Sequence, residues 1–440
     1  MEGAGAATPV DGWGEPLPPQ RPDARPRRKR WWLLGVLGVV VALGAAGWLG
    51  RRALIASLEE ACQEALRAND YQQLDRLAAR WHWWQPAKAA PLVYQAEAAS
   101  QQQQYERAVE LLDRLPDADP MTPRALVERS SMLFGPLNRP IEGAETLERA
   151  LKLDPTLVEA RRRLVYFYAF TLQRRKMVEH VYEAIRNHCD VPETYVYLVA
   201  QDWLSFANAY AENTKWLRGN PDQELFMVAR AIYRINAKSL DTAGDPNLDG
   251  PADASGVPYH RRVVADYFRR FPHNMELIAY HLELASVNGN VEEVARLLAQ
   301  APAEAAHDNR FWRYKGWLHG ARGELEEADA AYRKALALNC YDFVSRHQLS
   351  SIERRRKRLD QVKPLVDLAQ RGKELRRDIL VMDSVATVPR GILQRVARYA
   401  EECGDELTAR QLTMRLDEWS LPDTGPRSVA AGPRILFFDQ

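Results

Sequence analysis

From residue 31 to residue 50 the chain reads WWLLGVLGVVVALGAAGWLG, a run without a single charged or polar side chain. At the helical rise of about 1.5 Å per residue this run spans roughly 30 Å, the thickness of a bilayer's hydrocarbon layer. Trp31 and Trp32 stand at one end and Trp48 near the other, where indole rings favour the boundary between headgroups and hydrocarbon. The pattern predicts one transmembrane helix over 31–50. Arg21, Arg25, Arg27, Arg28, Lys29 and Arg30 precede it, against Arg51 and Arg52 after it. The positive-inside rule then leaves the N-terminus in the cytoplasm and carries the rest of the chain across the membrane. Ala42, Gly44 and Ala46 would also suit a signal peptidase, but a long leader and a full-length apolar segment favour a retained anchor. Gly38, Ala42, Ala46 and Gly50 form the small-xxx-small ladder on which two spans pair as a homodimer, and a half-helix so rich in Gly and Ala holds such a ladder equally by chance.

Beyond Arg52 the apolar positions recur with a helical period in blocks of about a dozen residues, broken by short polar or Pro-containing joints. Almost nothing alternates with period two, so the fold class is all-α. The clearest unit runs from Asn309 to Asp342 and places Trp312, Gly316, Gly323, Ala328, Tyr332 and Ala335 at fixed offsets. Small residues at 316 and 328 let two helices approach closely, and Trp312 and Tyr332 are expected as packing residues rather than ligands. The register propagates at one constant interval: Val294, Ala328 and Val362 are successive equivalents, with Leu298, Tyr332 and Val366 following each at a matching offset. Pro86 and Pro120 repeat at the same interval, and Pro155 follows almost in step. Ala108 with Leu112, Ala144 with Leu147 and Ala150, and Val178 with Tyr182 and Ile185 occupy matching positions. The unit around Gly404, Ala409 and Leu416 stays in phase only if a short insertion precedes it.

In these residues the chain resembles the tetratricopeptide-repeat (TPR) family over most of its length, with about eight or nine units between 55 and 423. The resemblance implies a right-handed solenoid of helical hairpins. Each unit hides its apolar face only by stacking on its neighbours. It also implies a concave groove, lined by the first helix of each hairpin, that binds peptides or extended segments of other proteins without catalysis. The expected organisation is a leader over 1–30, the span over 31–50, repeats over 53–190, an irregular region over 191–258, repeats over 259–423 and a tail over 424–440. If the helix from Ala53 runs away from the bilayer, its partner, Tyr71 to Trp84, returns toward it. Trp81 falls at a packing position, whereas Trp83 and Trp84 are expected near the lipid interface.

The repeat phase is lost after Val191, and 241–258 is a run of Gly, Pro, Asp and Ser. Within it Asp245, Asn247, Asp249 and Gly250 spell the oxygen-ligand half of a calcium loop, with Asp253 as a further ligand. Gly256 stands where the bidentate Glu is required, which removes two oxygens. A plain polar insertion between two helices, Gln223 to Lys238 and Tyr259 to Phe271, is the simpler expectation. No cofactor is implied, calcium being the one cation the loop could take.

Composition narrows the function classes. Lys and Arg total 60 against 59 Asp and Glu, a net charge of +1 that lacks the basic excess of a nucleic-acid binder. The basic stretch from Arg354 through Arg377 is interleaved with Asp360, Asp367 and Glu374, as on a solvated helix face. Cys62, Cys189, Cys340 and Cys403 form no CxxC pair. LPDTG at 421–425 copies a sorting pentapeptide but lacks the hydrophobic span and basic tail that should follow, so it is a chance match. No phosphate loop, HExxH or GxSxG occurs. The reading is a single-pass membrane scaffold with its repeats outside the cytoplasm, binding other proteins or peptides, with no nucleic acid. The alternatives are a calcium-responsive sensor whose 241–258 insertion gates the groove, and an enzyme using 191–258 with His188, Cys189 and His260 nearby.

Overall fold

The computed structural model describes residues 27–203, 207–236, 259–382, 385 and 388–419. The Asp245, Asn247, Asp249 and Asp253 loop and the 421–425 pentapeptide lie outside the described residues. Among the described residues twenty α-helices and one short 3₁₀ turn account for the regular structure, and no strand occurs. The chain divides into two units, 1–84 and 85–440.

In the first unit α1 (Arg27–Arg67) and α2 (Tyr71–Trp84) form a hairpin. The apolar run and the first repeat helix are one uninterrupted helix of 41 residues. Within it the stretch Val36–Arg67 contains an 18-residue window, of mean hydropathy 1.5, that is apolar enough to cross a membrane. Leu58, Cys62, Ala65, Leu74, Ala78 and Trp81 are buried in this hairpin.

The second unit holds eight more hairpins. They pair α3 (Ala89–Gln101) with α4 (Tyr105–Asp113), α5 (Thr122–Phe134) with α6 (Pro140–Leu153), and α7 (Val158–Phe170) with α8 (Arg174–Arg186). After α9 (Pro192–Ala200) come α10 (Ala207–Gly219) with α11 (Glu224–Asn236), then α12 (Tyr259–Arg270) and α13 (Met275–Val287) with α14 (Val291–Gln300). The 3₁₀ turn Ala303–His307 leads into α15 (Asn309–Arg322) with α16 (Leu325–Leu338), α17 (Phe343–Arg355) with α18 (Leu359–Leu380), and α19 (Arg390–Cys403) with α20 (Glu406–Glu418). The eight hairpins of the second unit make it an all-α helical-hairpin solenoid of TPR type, with α9 and α12 standing outside the pairs. The insertion inferred before Gly404 is the extra length of α18, 22 residues, together with the link that follows it.

Local chemistry explains the turns. In eight of the nine hairpins the turn carries one residue in the left-handed region: Asn69, Gln103, Asn138, Leu172, Gly289, Gly323, Lys357 and Gly404. Helix starts are held by side-chain caps, with Asn274, Asn290, Asp308, Asp342 and Asp405 each accepting from backbone N–H groups of the first turn.

The packing expected in the 309–342 unit is present in part. A Cβ at Gly316 would lie 2.9 Å from three ring carbons of Tyr332, which is buried. Glycine therefore lets the ring lie flat on α15. Trp312 does not fill the core: it is half-buried, its indole N–H donates to the Ala306 carbonyl at 2.9 Å, and Lys315 Nζ stands 4.3 Å from its ring centre. Phe311 and Tyr314 take the buried face instead. Gly316→Val is expected to lower stability by about 1–3 kcal/mol, the usual cost of overpacking a filled core. Gly391→Ala, where nothing lies within 4 Å, should change it little. Chemical denaturation of the two variants side by side checks this.

The resemblance implies a concave groove lined by the first helix of each hairpin; in the second unit α9 is buried from Glu193 to Ala200. It lies between α7 and α8 on one hand and α18 and α19 on the other. One apolar cluster runs from Leu147 and Leu164 through Tyr195 and Val199 to Leu375, Val396 and Leu416. The array in the second unit therefore closes on itself, and its own chain fills the interior there.

Candidate interaction cavity

Closure leaves a large opening, a cavity of about 770 Å³ at the C-terminal end of α9. Its walls come from the start of α8 (Arg174, Arg175, Lys176, Val178, Glu179), α11 (Glu224, Leu225, Val228), the start of α13 (His273–Glu276) and the 3₁₀ turn with its flanks (Pro302, Glu304, His307, Asp308, Asn309). Gln201 and Asp202 close it from below.

The floor is a network of charges supplied by helix termini. Glu276, in the first turn of α13, accepts from Arg174 Nε at 3.1 Å and from Arg310 Nη2 at 2.6 Å and Nη1 at 2.9 Å. Its side chain is only 13% exposed. Burial alone would raise the Glu276 carboxyl, yet the two guanidinium charges outweigh it and hold the group at about 2. Arg310 also pairs with Asp308 at 2.6 Å, and Arg174 donates to the Gln201 carbonyl. Asn274, the cap of α13, donates to Glu224 Oε1 at 2.7 Å.

A second network lies beside the first. Asp202, just after α9, accepts from Asn309 at 2.8 Å and Asn339 at 3.0 Å and is paired with Arg313. Arg313 also reaches Asp342 at 2.7 Å, which caps α17 through Ser345 N at 2.9 Å. Burial works against the Arg313 charge, and the Asp342 and Asp202 charges more than offset it, raising its pKa. The two networks tie α8, α9, α11, α13, α15 and α17 together through ions that satisfy one another. The cavity rim carries both signs: Arg175, Lys176 and Glu179 are exposed, as are His273, Glu304 and His307. Val178, Leu225 and Met275 add apolar surface that is only partly covered.

The other predicted groups fall elsewhere. Cys189 is buried, with burial pushing its thiol up, and His188 bonds Gln411 at 3.0 Å, so neither forms an activated nucleophile with its neighbour. The side chain of His260 lies outside the described residues. Among the described residues no three His, Cys, Asp or Glu side chains come together to hold a metal ion. Much of the basic stretch 354–377 is paired, as in Arg356 with Asp329 at 3.0 Å and Arg371 with Glu402 at 2.5 Å. Neither Glu276 nor Asp202 carries a signal in the sequence: Arg174 stands 102 residues from Glu276 and Arg313 111 from Asp202, and even Arg310 is 34 residues from Glu276.

No family model and no curated protein matches the chain. Solved structures similar to it include a tetratricopeptide repeat protein from Parabacteroides merdae (13% identity, 68% of this chain and 98% of that one, TM-score 0.26). PilW, a type IV pilus biogenesis factor, is 18% identical over 51% of this chain and 96% of its own, with a TM-score of 0.27. The Cut9–Hcn1 hetero-tetramer of the APC/C is 11% identical, covering 83% of this chain and 79% of the other, at a TM-score of 0.30. These values are low, and the fold stands on the packing of this chain's own helix pairs: nine hairpins of TPR type, eight of them in an array closed around α9.

Proposed function

We propose that this chain is a membrane-anchored, non-enzymatic scaffold that holds a segment of another protein in the cavity beside α9. The observation that carries the reading is the cavity itself. At about 770 Å³ it lies in the range of built ligand sites, and its partly apolar wall and two-signed rim suit a peptide segment better than a single charged metabolite. The uninterrupted α1, with its apolar segment at one end, supports the membrane anchor. The excess of Arg before the span supports a cytoplasmic N-terminus with the repeats on the far side.

The test is affinity capture with the full chain extracted in detergent, compared with Leu225→Arg, which puts a charge on the cavity wall. Partners recovered by the unmodified chain should fall by roughly tenfold or more in the variant, as when a desolvated contact is lost. Equal recovery would remove the cavity as the binding site. Alkaline washing of membranes tests the anchor separately, since a spanning chain stays in the pellet.

A further inference from the structure

The end of the first hairpin brings three aromatic side chains and two cations to one level of α1. Arg51, the first residue after the apolar run, donates from Nη2 to the Trp84 carbonyl at 2.8 Å. That bond fixes the C-terminus of α2 beside the point where the apolar segment ends. Helix geometry agrees: Arg51 to Arg67 rises roughly 25 Å, and the 14 residues of α2 return about 20 Å. Trp81 is consumed by the hairpin core at 3% exposure, whereas Trp83 is 74% exposed. The Trp83 and Trp84 rings meet edge to face, 4.8 Å between centres, and Trp84 is half-buried. On α1 itself Trp48 is 59% exposed, and the Arg52 guanidinium lies 5.5 Å from its ring centre.

We infer that Trp83 and Trp84, with Trp48, Arg51 and Arg52, form a collar that sits in the glycerophospholipid interface and gives the α1–α2 hairpin a second lipid contact besides its span. This deepens the membrane-anchored reading and rests on it. The chemistry fits one occupant. Indoles partition to the ester and glycerol level of a bilayer, and arginines just outside the hydrocarbon reach lipid phosphates. A protein partner covering Trp83 is the competing occupant. Continuity with the apolar segment favours lipid, since any bilayer that surrounds residues 36–50 meets the chain at Arg51 and hence at Trp84. One lipid-embedded helix leaves rotation about its axis free. A contact beside that axis fixes which face of the hairpin looks at the membrane.

The experiment places the photo-reactive amino acid p-benzoylphenylalanine in the full chain at one position at a time, in vesicles of phosphatidylcholine and phosphatidylglycerol. The positions are Trp83, Trp48 as the reference inside the span, and Asn69 at the far tip of the hairpin. Irradiation followed by mass spectrometry should show phospholipid adducts at 83 comparable to those at 48 and at least about tenfold above those at 69. Adducts at 48 without adducts at 83, or protein adducts at 83 in native membranes, would overturn the collar while leaving the span intact. Absence of lipid adducts at 48 would overturn the span and the collar together. Trp83 is exposed and the probe is of similar size, so folding is not at stake; helicity by circular dichroism confirms it.

Discussion

Glu276→Gln should cost the second unit about 3 kcal/mol at neutral pH, with the loss concentrated in α8, α13 and α15. The substitution keeps the shape and removes the charge, leaving Arg174 (13% exposed) and Arg310 (8% exposed) facing each other across a neutral amide. Breaking a buried ion pair from one side is expensive, typically about 3–5 kcal/mol, and here Arg174 loses its carboxylate while Arg310 keeps Asp308, which places the cost at the lower end. The pH dependence gives an independent measure. The carboxyl titrates at about 2 in the folded chain against 4.5 ordinarily, a gap worth roughly 3 kcal/mol. A depressed folded value means the contribution is complete above the ordinary value and is lost as pH falls from about 4.5 toward 2. The unmodified chain should therefore lose stability through that window, while the glutamine variant loses less, so the gap between them narrows. Glu159→Gln is the comparison, since its pair with Arg163 at 2.6 Å is half in solvent and should be worth at most about 1 kcal/mol. Hydrogen exchange reads the Glu276 variant at the α13 amides and the Glu159 variant at the α7 amides. A gap that stays constant from pH 7 to 3 would remove the charge explanation.

Asp190→Ala is expected to open the closed array. Asp190, between α8 and α9, has a side chain with no exposure and accepts from Tyr195 Oη at 2.7 Å, Gln411 Nε2 at 3.0 Å and Arg415 Nε at 3.2 Å. Two of those donors belong to α20, the last helix among the described residues and remote from Asp190 along the chain. Alanine takes this acceptor from the Tyr195 hydroxyl, the Gln411 amide and Arg415, which keeps Glu418 and the His188 carbonyl, at a cost of about 3 kcal/mol. Because α20 meets α8 only through a few such contacts, the deficit should appear as local opening. Exchange protection in Glu406–Glu418 should fall by roughly 10²–10³-fold while α3 to α6 stay unchanged. Asp405, which accepts from Tyr182 at 2.8 Å and Tyr341 at 2.7 Å, keeps part of the contact, so the hairpin should loosen without unfolding. Equal loss of protection throughout the second unit would mean that Asp190 supports a single cooperative fold and not a closure.

How much of this is legible in the chain differs from element to element. The hairpin 309–342 is readable because its determinants are local: Gly316 and Tyr332 stand on consecutive helices and meet whenever the two fold back on each other. The same pattern misplaces Trp312, since a helical period fixes which residues share a face but not which neighbour covers it. The loss of phase after Val191 is visible, and its meaning is not. PETYVYLVA has no polar stripe because α9 is enclosed on all sides, and an all-round apolar helix does not name what surrounds it. The cavity leaves no mark, as its walls come from segments between Thr171 and Leu338 whose proximity is set only once the array curves.

By itself the sequence determined the apolar span, the helical class and the regular rhythm of hairpins, because each rests on hydrophobic periodicity and turn chemistry within a short stretch of chain. Tertiary structure alone decided that the array closes around α9, that Glu276 and Asp190 become its ionic joints, and that Trp84 comes back to Arg51. The reason is that charge pairing and enclosure depend on distance in space. Small rotations between successive hairpins accumulate into curvature, and it is that sum which brings residues 102 to 225 positions apart within hydrogen-bonding reach.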